Sequence, residues 1–274
     1  MHKLYTITRN TCNNNLKKPK KDKYEYIKCV ITNIFHNSKN TYGYRRIHQI
    51  LIDLGCKIGI NKVLDLMNEL NLHPYYKKQA YHSYDGKIDL TFPNLINRNF
   101  NATRPYELVF SDVTMIKQPF GNVYLSAVLD AYSREIISFD ISTSPNKKQA
   151  IATFQGLIKS LPEGYETILH TDQGWQYKNI EIVNLLRSAN IKQSMSRVGN
   201  CLDNAMMESW FGKLKNEIIY NMEYKNLKEV INTISSYIKF YNEKRVHSQI
   251  GNVSPLKYKE MYYLRLKEQQ KVKN

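Results

Sequence analysis

The chain has 274 residues, of which 42% are hydrophobic and 23% are charged, a balance that is typical of folded proteins and excludes wholesale disorder. This length is enough for one domain of ordinary size and a second, smaller one. Lysine and arginine number 40 against 24 aspartate and glutamate residues, and the formal net charge of +16 favours a polyanionic partner such as nucleic acid.

The sequence gives no signal for export or for insertion into a membrane. Its first residues lack the apolar core of a signal peptide. No apolar run approaches the roughly 20 residues that a membrane-spanning helix needs. The sequence therefore predicts a cytoplasmic protein.

The basic excess is concentrated at the front of the chain, where residues 1–100 hold 17 basic and 7 acidic side chains. In this part, apolar residues recur at helical spacing in three short stretches, which are residues 27–35, 47–54 and 60–70. Gly55 stands where the second helix should end. The second and third helices with their short connection resemble a helix-turn-helix. We therefore predict a small, basic, all-α DNA-binding region over residues 1–74.

Four side chains of this region are candidate DNA contacts. Arg45 and Arg46 open the second helix and are placed to hold phosphates, while Asn61 and Lys62 lie near the start of the potential recognition helix. The alternative is a small helical bundle whose charges are only its solvated face. The local charge excess favours DNA contact.

Residues 75–104 form a polar stretch punctuated by prolines and are predicted to be a linker. The periodicity then changes, because β-branched and aromatic residues gather in segments separated by turn signals. These segments predict three successive antiparallel strands, at residues 108–116, 123–129 and 135–141. Helices and two further strands follow, at residues 147–160, 167–171, 179–189, 191–195, 201–220 and 227–241. The pattern predicts a mixed α/β domain over residues 105–260 and a basic tail over residues 261–274.

Three carboxylates in this domain point to metal-dependent chemistry. Asp112 interrupts an apolar strand, where a carboxylate must be paired, protonated or bound to a metal. Asp172 directly follows the fourth strand, and strand ends commonly carry the catalytic groups of α/β folds. Glu208 lies beside the buried stripe of the following helix and can face the strand ends. Three such acids suit magnesium, with manganese as a substitute, and two ions could promote a phosphoryl displacement. We predict that all three are catalytic metal ligands.

The segments around these residues resemble the integrase-core transposases of bacterial insertion sequences, particularly the OrfB-type product, whose core is related to retroviral integrase. The resemblance rests on YGYRRIHQIL, HTDQGWQY, SMSRVGNCLDNAMMESWFGKLKNE and YNEKRVHSQIGNVSPLKY, and it covers about residues 41–258. The 35 residues between Asp172 and Glu208 match the spacing that is typical of this family.

The resemblance implies a ribonuclease-H-like core with a mixed five-stranded sheet, and DNA strand cleavage followed by joining through a 3′-hydroxyl. Lys215 matches a basic position of the family that is thought to touch DNA. Arg245 could reach DNA or could pin the last helices to the core, and both alternatives stay open. Asp130 and Arg134 match the family pattern and are expected to have a structural role in a hairpin.

The implied partners are the element ends and target DNA, further copies of the chain in the active complex, and an upstream reading-frame product or fused N-terminal module. Two other functions also remain open. One is a nuclease that uses the same triad without joining strands. The other is a non-catalytic DNA-binding regulator built on residues 24–72, against which the three acids argue, because desolvating them without a metal is costly.

Overall fold

The computed structural model describes residues 22–74, 92–197 and 201–273, and the chain divides into two compact units, residues 1–78 and residues 79–274. Each unit is described by itself below. None of the helices in the described ranges combines the length and the apolarity that a membrane span needs.

The first unit contains three helices, α1 (Glu25–Asn37), α2 (Tyr44–Asp53) and α3 (Ile60–Glu69). Gly55 ends α2 as predicted, because its positive φ of 81° turns the chain so that the amide of Cys56 bonds the carbonyl of Leu51 at 2.8 Å. The predicted apolar stripe of α3 is partly wrong. Ile60 is 39% exposed, and Leu66, at 1% exposure, completes the buried stripe instead.

A mixed five-stranded sheet forms the second unit, in the order β3-β2-β1-β4-β5. The strands are β1 (Leu108–Gln118), β2 (Gly121–Asp130), β3 (Ile136–Ser142), β4 (Thr167–Thr171) and β5 (Ile191–Met195). The first three pair in antiparallel fashion, whereas β4 pairs parallel to β1 and β5 pairs parallel to β4. The predicted mixed sheet is therefore confirmed, and two of its parallel strands end beside each other.

Helices cover both faces of this sheet. One face is packed by α4 (Lys147–Ser160) and α5 (Ile180–Ser188), and the other by α6 (Ala205–Leu214) and α7 (Leu227–Glu243). Side chains alternate along β1. Val109 therefore joins the hydrophobic core under α4 and α5, and Phe110 joins the core under α6 and α7. Every even-numbered position of β1 near its middle therefore faces α6 and α7.

A π-helical turn (Lys215–Ile219) continues α6, and a buried ion pair holds it. Arg245, which is 1% exposed, bonds Glu217 through Nε at 2.9 Å. The hydroxyl of Tyr237 in α7 donates to the same carboxylate at 2.9 Å. These contacts favour the structural alternative for Arg245, which pins the end of α7 to the end of α6. A guanidinium this deeply buried does not reach DNA in this conformation, so its place among the candidate DNA contacts is corrected.

The predicted linker is wrong over residues 92–104, and residues 75–91 lie outside the described ranges. Ile96 is 6% exposed and belongs to the core under α6. The amide of Leu95 donates to Ser194 Oγ at 2.9 Å, and the ring of Phe100 packs on Phe110. Polar residues dominate this stretch, and its few buried apolar residues do not recur at the spacing of a helix or a strand. The sequence therefore contains no sign that the stretch is packed.

The segment predicted as a basic tail is helical as far as Lys273, because α8 (Pro255–Lys273) runs through it. Tyr258 and Tyr262 place their rings 5.1 Å and 5.3 Å from the ring of Tyr132. Lys259 forms an ion pair with Glu135 at the end of the β2–β3 hairpin. Charged residues surround these tyrosines in the sequence, which hid the helix from a pattern based on apolar periodicity.

Candidate active site

Asp112 lies within β1, and Asp172 directly follows the end of the neighbouring parallel strand β4. Ser111 pairs with Thr171 in the β1–β4 register, so the two aspartates occupy the next level of the sheet. Neighbouring strands lie about 4.8 Å apart, and residues at one level of a parallel pair point to the same face. That face is the one covered by α6, because Phe110 belongs to its core.

Backbone amides fix both carboxylates. Asp112 Oδ1 accepts a hydrogen bond from the amide of Val113 at 2.7 Å, and Asp172 Oδ1 accepts one from the amide of Gly174 at 2.9 Å. The loop after β4 is held in turn by Gln173, whose side-chain amide donates to the carbonyl of Ser196 at 3.0 Å. The sequence therefore folds into a rigid turn that presents Asp172.

Gly174 is required by this turn because of the space around it. A Cβ at this position would lie 2.9 Å from Asp172 Oδ1 and 2.5 Å from Gln176 Nε2. We expect Gly174→Ala to displace the Asp172 carboxylate and to lower the rate of DNA cleavage about 10²-fold, since small misplacements of a catalytic group have effects of this size. A single-turnover nicking assay measures the rate.

The matched control is Gly212→Ala in α6, where a Cβ would meet no atom within 4 Å. This change should stabilise the protein by up to about 1 kcal/mol through helix propensity and leave cleavage unchanged. Equal cleavage by the Gly174→Ala and Gly212→Ala proteins would contradict the proposed role of the turn.

The negative charges of Asp112 and Asp172 are not balanced by an ion-pair partner among the described side chains. Burial raises the pKa of Asp112 well above its usual range, and the negative charges of Asp172 and, to a smaller extent, Glu208 act in the same direction. Burial also raises the pKa of Asp172. Neither carboxylate takes part in an ion pair among the side chains that the structure describes. The pair therefore has a deficit of positive charge.

Glu208 lies in the first turn of α6, next to the buried residue Met207, and its own side chain is exposed. Its charge acts on Asp112, so it lies within electrostatic range of the aspartate pair. Within the described ranges, however, no three His, Cys, Asp or Glu side chains are already gathered closely enough to hold a metal ion. The structure thus brings Asp112 and Asp172 together and leaves Glu208 at the rim.

Two lysines supply positive charge near the pair. The ammonium of Lys215, half-buried at the end of α6, attracts Asp112, while burial lowers the pKa of this lysine. Lys178 attracts Asp172 and donates to Gln173 Oε1 at 3.4 Å. Lys178 was not among the predicted site residues, although it directly follows the HTDQGWQY motif, whose last residues form a short 3₁₀ helix (Trp175–Lys178).

A buried phenol beside the pair was also missed. Tyr177 is 0% exposed, and burial together with the charges of Asp112 and Asp172 raises its pKa well above its usual range. Its ring packs against Phe154 of α4, so it approaches the aspartates from the opposite side of the sheet to α6. A protonated hydroxyl therefore lies beneath the site.

The structural role expected for Asp130 is confirmed. Its carboxylate accepts hydrogen bonds from the amides of Tyr106 and Ser133, at 2.9 Å and 2.8 Å, and from the Ser133 hydroxyl at 2.6 Å. These bonds close the β2–β3 hairpin and leave Asp130 1% exposed. Asp130 is therefore part of the framework and separate from the aspartate pair.

The candidate DNA contacts of the first unit differ in exposure. Arg45 and Asn61 are exposed, whereas Arg46 and Lys62 are half-buried. The guanidinium of Arg46 lies 5.3 Å from the ring of Tyr42, and the ammonium of Lys62 lies 4.8 Å from the ring of another tyrosine, Tyr24. Cation–π contacts of this kind orient the charged groups and leave their outer faces open to solvent.

Comparison with known families matches both units. Residues 21–80 match an HTH-like domain, and residues 102–201 and 189–255 match two models of the integrase core domain. A cryo-EM structure of a simian T-cell lymphotropic virus intasome, in complex with PP2A regulatory subunit B56 gamma, shares the fold with a TM-score of 0.50. It is 15% identical in sequence, and the alignment covers 84% of this chain and 74% of that chain.

Curated relatives extend the match over most of the chain. The putative transposase InsK for insertion sequence element IS150, from Escherichia coli K12, is 38% identical over 245 residues, which are 89% of this chain and 87% of that protein. The transposase for insertion sequence element IS904, from Lactococcus lactis, is 36% identical over 81% of this chain and 88% of its own length. The chain therefore belongs to the insertion-sequence transposases, with an HTH-like domain followed by an integrase core domain.

Proposed function

We propose that this transposase cuts DNA strands and joins the resulting 3′-hydroxyl ends to target DNA, with Asp112, Asp172 and Glu208 as its catalytic residues. The observation that supports the proposal best is that Asp112 and Asp172 directly follow Ser111 and Thr171, which pair with each other in the parallel strands β1 and β4. Two half-buried carboxylates with raised pKa values and no ion-pair partner among the described side chains need an external cation to be charged together.

Magnesium or manganese fits this donor set. The carboxylate oxygens of Asp112, Asp172 and Glu208 are the hard ligands that such ions prefer. When bound, the metal would activate the attacking oxygen and stabilise the leaving oxygen of a phosphoryl displacement. The amides of Val113 and Gly174 keep the two aspartates oriented, and Lys215 adds positive charge beside them for a phosphate.

The decisive experiment incubates the purified chain with the terminal DNA of its own element and with a second duplex as target. With magnesium or manganese we expect nicks at the element ends and joined products on a sequencing gel. Nicks without joined products would favour the nuclease alternative. Neither product, together with intact DNA binding, would favour the regulator. Full activity in excess chelator would contradict the metal assignment.

Metal binding has a readout of its own that does not depend on DNA. Titrating the DNA-free protein with manganese in a calorimeter should show binding to the wild-type chain and much weaker binding to the Asp112→Asn and Asp172→Asn chains. Equal affinity in all three would place the metal elsewhere.

The HTH-like domain is proposed to supply DNA affinity through Arg45, Arg46, Asn61 and Lys62. Lys57, an exposed residue of the connection between α2 and α3, adds a further positive charge beside them. Replacing the exposed Arg45 and Lys57 by glutamine should weaken binding and reduce the dependence of log K on log salt by about 0.9 for each phosphate that is no longer neutralised. Fluorescence anisotropy at several salt concentrations measures this slope. The matched control replaces Lys148 and Lys159, two exposed lysines of α4, and an equal reduction of the slope in that protein would favour the solvated-bundle alternative.

We further propose that the chain needs an upstream reading-frame product, or a fused N-terminal module, to recognise element ends and to assemble as a homo-oligomer. A single small domain binds each end weakly, whereas linked copies bind both ends strongly. No stretch of the sequence sustains the apolar heptads of a coiled coil over three repeats. Gel shifts with terminal and scrambled DNA should show end preference only for the fused protein. End-specific dimers formed by this chain alone would contradict the proposal.

A further inference from the structure

A cavity of about 250 Å³ lies beside α6, on the same face of the sheet as Glu208. Arg134, in the turn between β2 and β3, forms one wall, and Trp210 and Lys213 of α6 form another. Phe100 adds an apolar side. The volume is several times the roughly 30 Å³ that one water molecule occupies in the liquid. The cavity is therefore large enough for a ligand with more than one functional group.

Two buried hydrogen-bond donors of these walls have no acceptor within the described part of the protein. They are Nε of Arg134 and Nε1 of Trp210. Trp210 is 1% exposed, so its indole N–H is shielded from bulk water. Buried donors almost always have a partner, and an orphaned one calls for an explanation by an unseen molecule. Both donors belong to residues that line the same cavity.

The polar groups around the cavity are suited to an anion. No carboxylate is present among the described residues that line it. The carboxylate whose charge acts on Arg134 is that of Asp130, which accepts its hydrogen bonds from Tyr106 and Ser133 instead. The guanidinium of Arg134 directs Nη1 to the sulfur of Met206 at 3.0 Å, a weak acceptor. Within the described residues, this guanidinium therefore has no strong anionic acceptor.

The position of the cavity along α6 relates it to the aspartate pair. Ser209 lines it, and this residue directly follows Glu208 in the same helix. Lys213, one turn further on, donates to Ser209 Oγ at 3.0 Å. Successive residues of an α-helix are turned by about 100° around its axis, so Ser209 lies about 100° and Lys213 about 140° around the helix from Glu208. A DNA strand that contacts Glu208 and continues around this flank of α6 would bring its next phosphates to the cavity.

We propose that this cavity binds a sugar-phosphate unit of the DNA strand, with Arg134, Trp210 and Lys213 as its phosphate ligands. Guanidinium, indole and ammonium N–H groups all donate to phosphate oxygens. Hydrogen bonds to a charged acceptor such as phosphate are stronger than hydrogen bonds between neutral groups. Phe100 offers an apolar wall to the sugar. The inference rests on the proposed function, because it takes DNA to be the substrate.

The two tryptophans of the chain give a direct test. Trp175 is 61% exposed and outside the cavity, so Trp175→Phe leaves Trp210 as the single indole fluorophore. In chelator, a single-stranded oligonucleotide should change the emission of Trp210. An uncharged methylphosphonate oligonucleotide of the same sequence should leave it unchanged. An equal response to both oligonucleotides, or a response to neither while labelled DNA binds, would overturn the proposal.

Three variants locate the contact. We expect Lys213→Gln to reduce the salt slope of oligonucleotide binding by about 0.7, the value for one phosphate on a single strand. Arg134→Gln should weaken binding about tenfold and suppress the Trp210 response. Trp210→Phe, which removes the N–H donor together with part of the ring system, should weaken binding several-fold. The control is Lys148→Gln on the opposite face of the sheet. The same slope for Lys213→Gln and Lys148→Gln would overturn the proposal.

Circular dichroism shows whether each variant folds, and if Arg134→Gln does not, Lys213→Gln and Trp210→Phe decide the question. Failure of this inference is distinguishable from failure of the proposed function. Nicked and joined products without a Trp210 response would refute the cavity alone. A Trp210 response to charged DNA without any cleavage would support the cavity and refute the catalytic proposal.

Discussion

Asp172→Asn is expected to lower DNA strand cleavage by about 10³-fold or more, the size of effect seen when a group that stabilises charge in the transition state is removed. The amide keeps the shape of the side chain but supplies a much poorer metal ligand than a carboxylate. Asp112→Asn and Glu208→Gln should have the same direction of effect. A single-turnover nicking assay with labelled terminal DNA measures the rate.

Folding and DNA affinity should survive the Asp172→Asn substitution. The pKa of Asp172 is raised by burial, so a neutral side chain at this position relieves an unfavourable charge. The removal of one negative charge near bound DNA should leave affinity unchanged or slightly higher. Asp140→Asn, on β3 of the same sheet, is the matched control and should cleave normally. Near-normal cleavage by Asp172→Asn would mean that the site is assigned to the wrong residues.

Glu217→Gln is expected to reduce the free energy of unfolding by about 3–5 kcal/mol, because it leaves the Arg245 guanidinium buried with its anionic partner removed. The two side chains are 8% and 0% exposed, and Tyr237 also donates to this carboxylate. Urea denaturation followed by circular dichroism measures the change. The same substitution should leave the DNA affinity of the folded protein unaltered, since Arg245 does not reach the surface.

The matched control for this ion pair is Glu166→Gln, which breaks the exposed pair between Lys192 and Glu166. Their side chains are 57% and 66% exposed, and surface pairs of this kind contribute about 0–1 kcal/mol. A change below about 1 kcal/mol for Glu217→Gln as well would contradict the structural assignment of Arg245.

Local patterns in the sequence predicted the elements well and their long-range contacts poorly. The β-branched and aromatic runs placed the first three strands, since strand propensity and alternation are properties of neighbouring residues. The two later strands also lie where they were predicted. The same reasoning placed Asp172 at the end of a strand. It could not supply the register that sets Asp112 beside it, because the pairing of Ser111 with Thr171 joins positions far apart in the chain.

Asp203 illustrates the same limit. Its position before α6 is typical of a helix cap, but α6 has Asn204 as its N-cap residue, without a capping side-chain bond. Asp203 instead bonds Arg197, Arg98 and Asn94. Two of these partners lie about a hundred residues earlier, in the stretch that composition assigned to a linker. A polar residue of this kind acquires its role only when the chain has folded.

The π-helical turn after α6 constrains the length of the chain as strictly as its composition. Glu208 lies in the first turn of this helical segment at the rim of the site, and Glu217 near its end is fixed by Arg245. Adding or deleting one residue between the two glutamates would rotate one of them by about 100° relative to the other. Either the carboxylate would turn away from the aspartates, or a buried arginine would be separated from its partner. The number of residues between Glu208 and Glu217 therefore affects both the position of the catalytic carboxylate and the stability of the core.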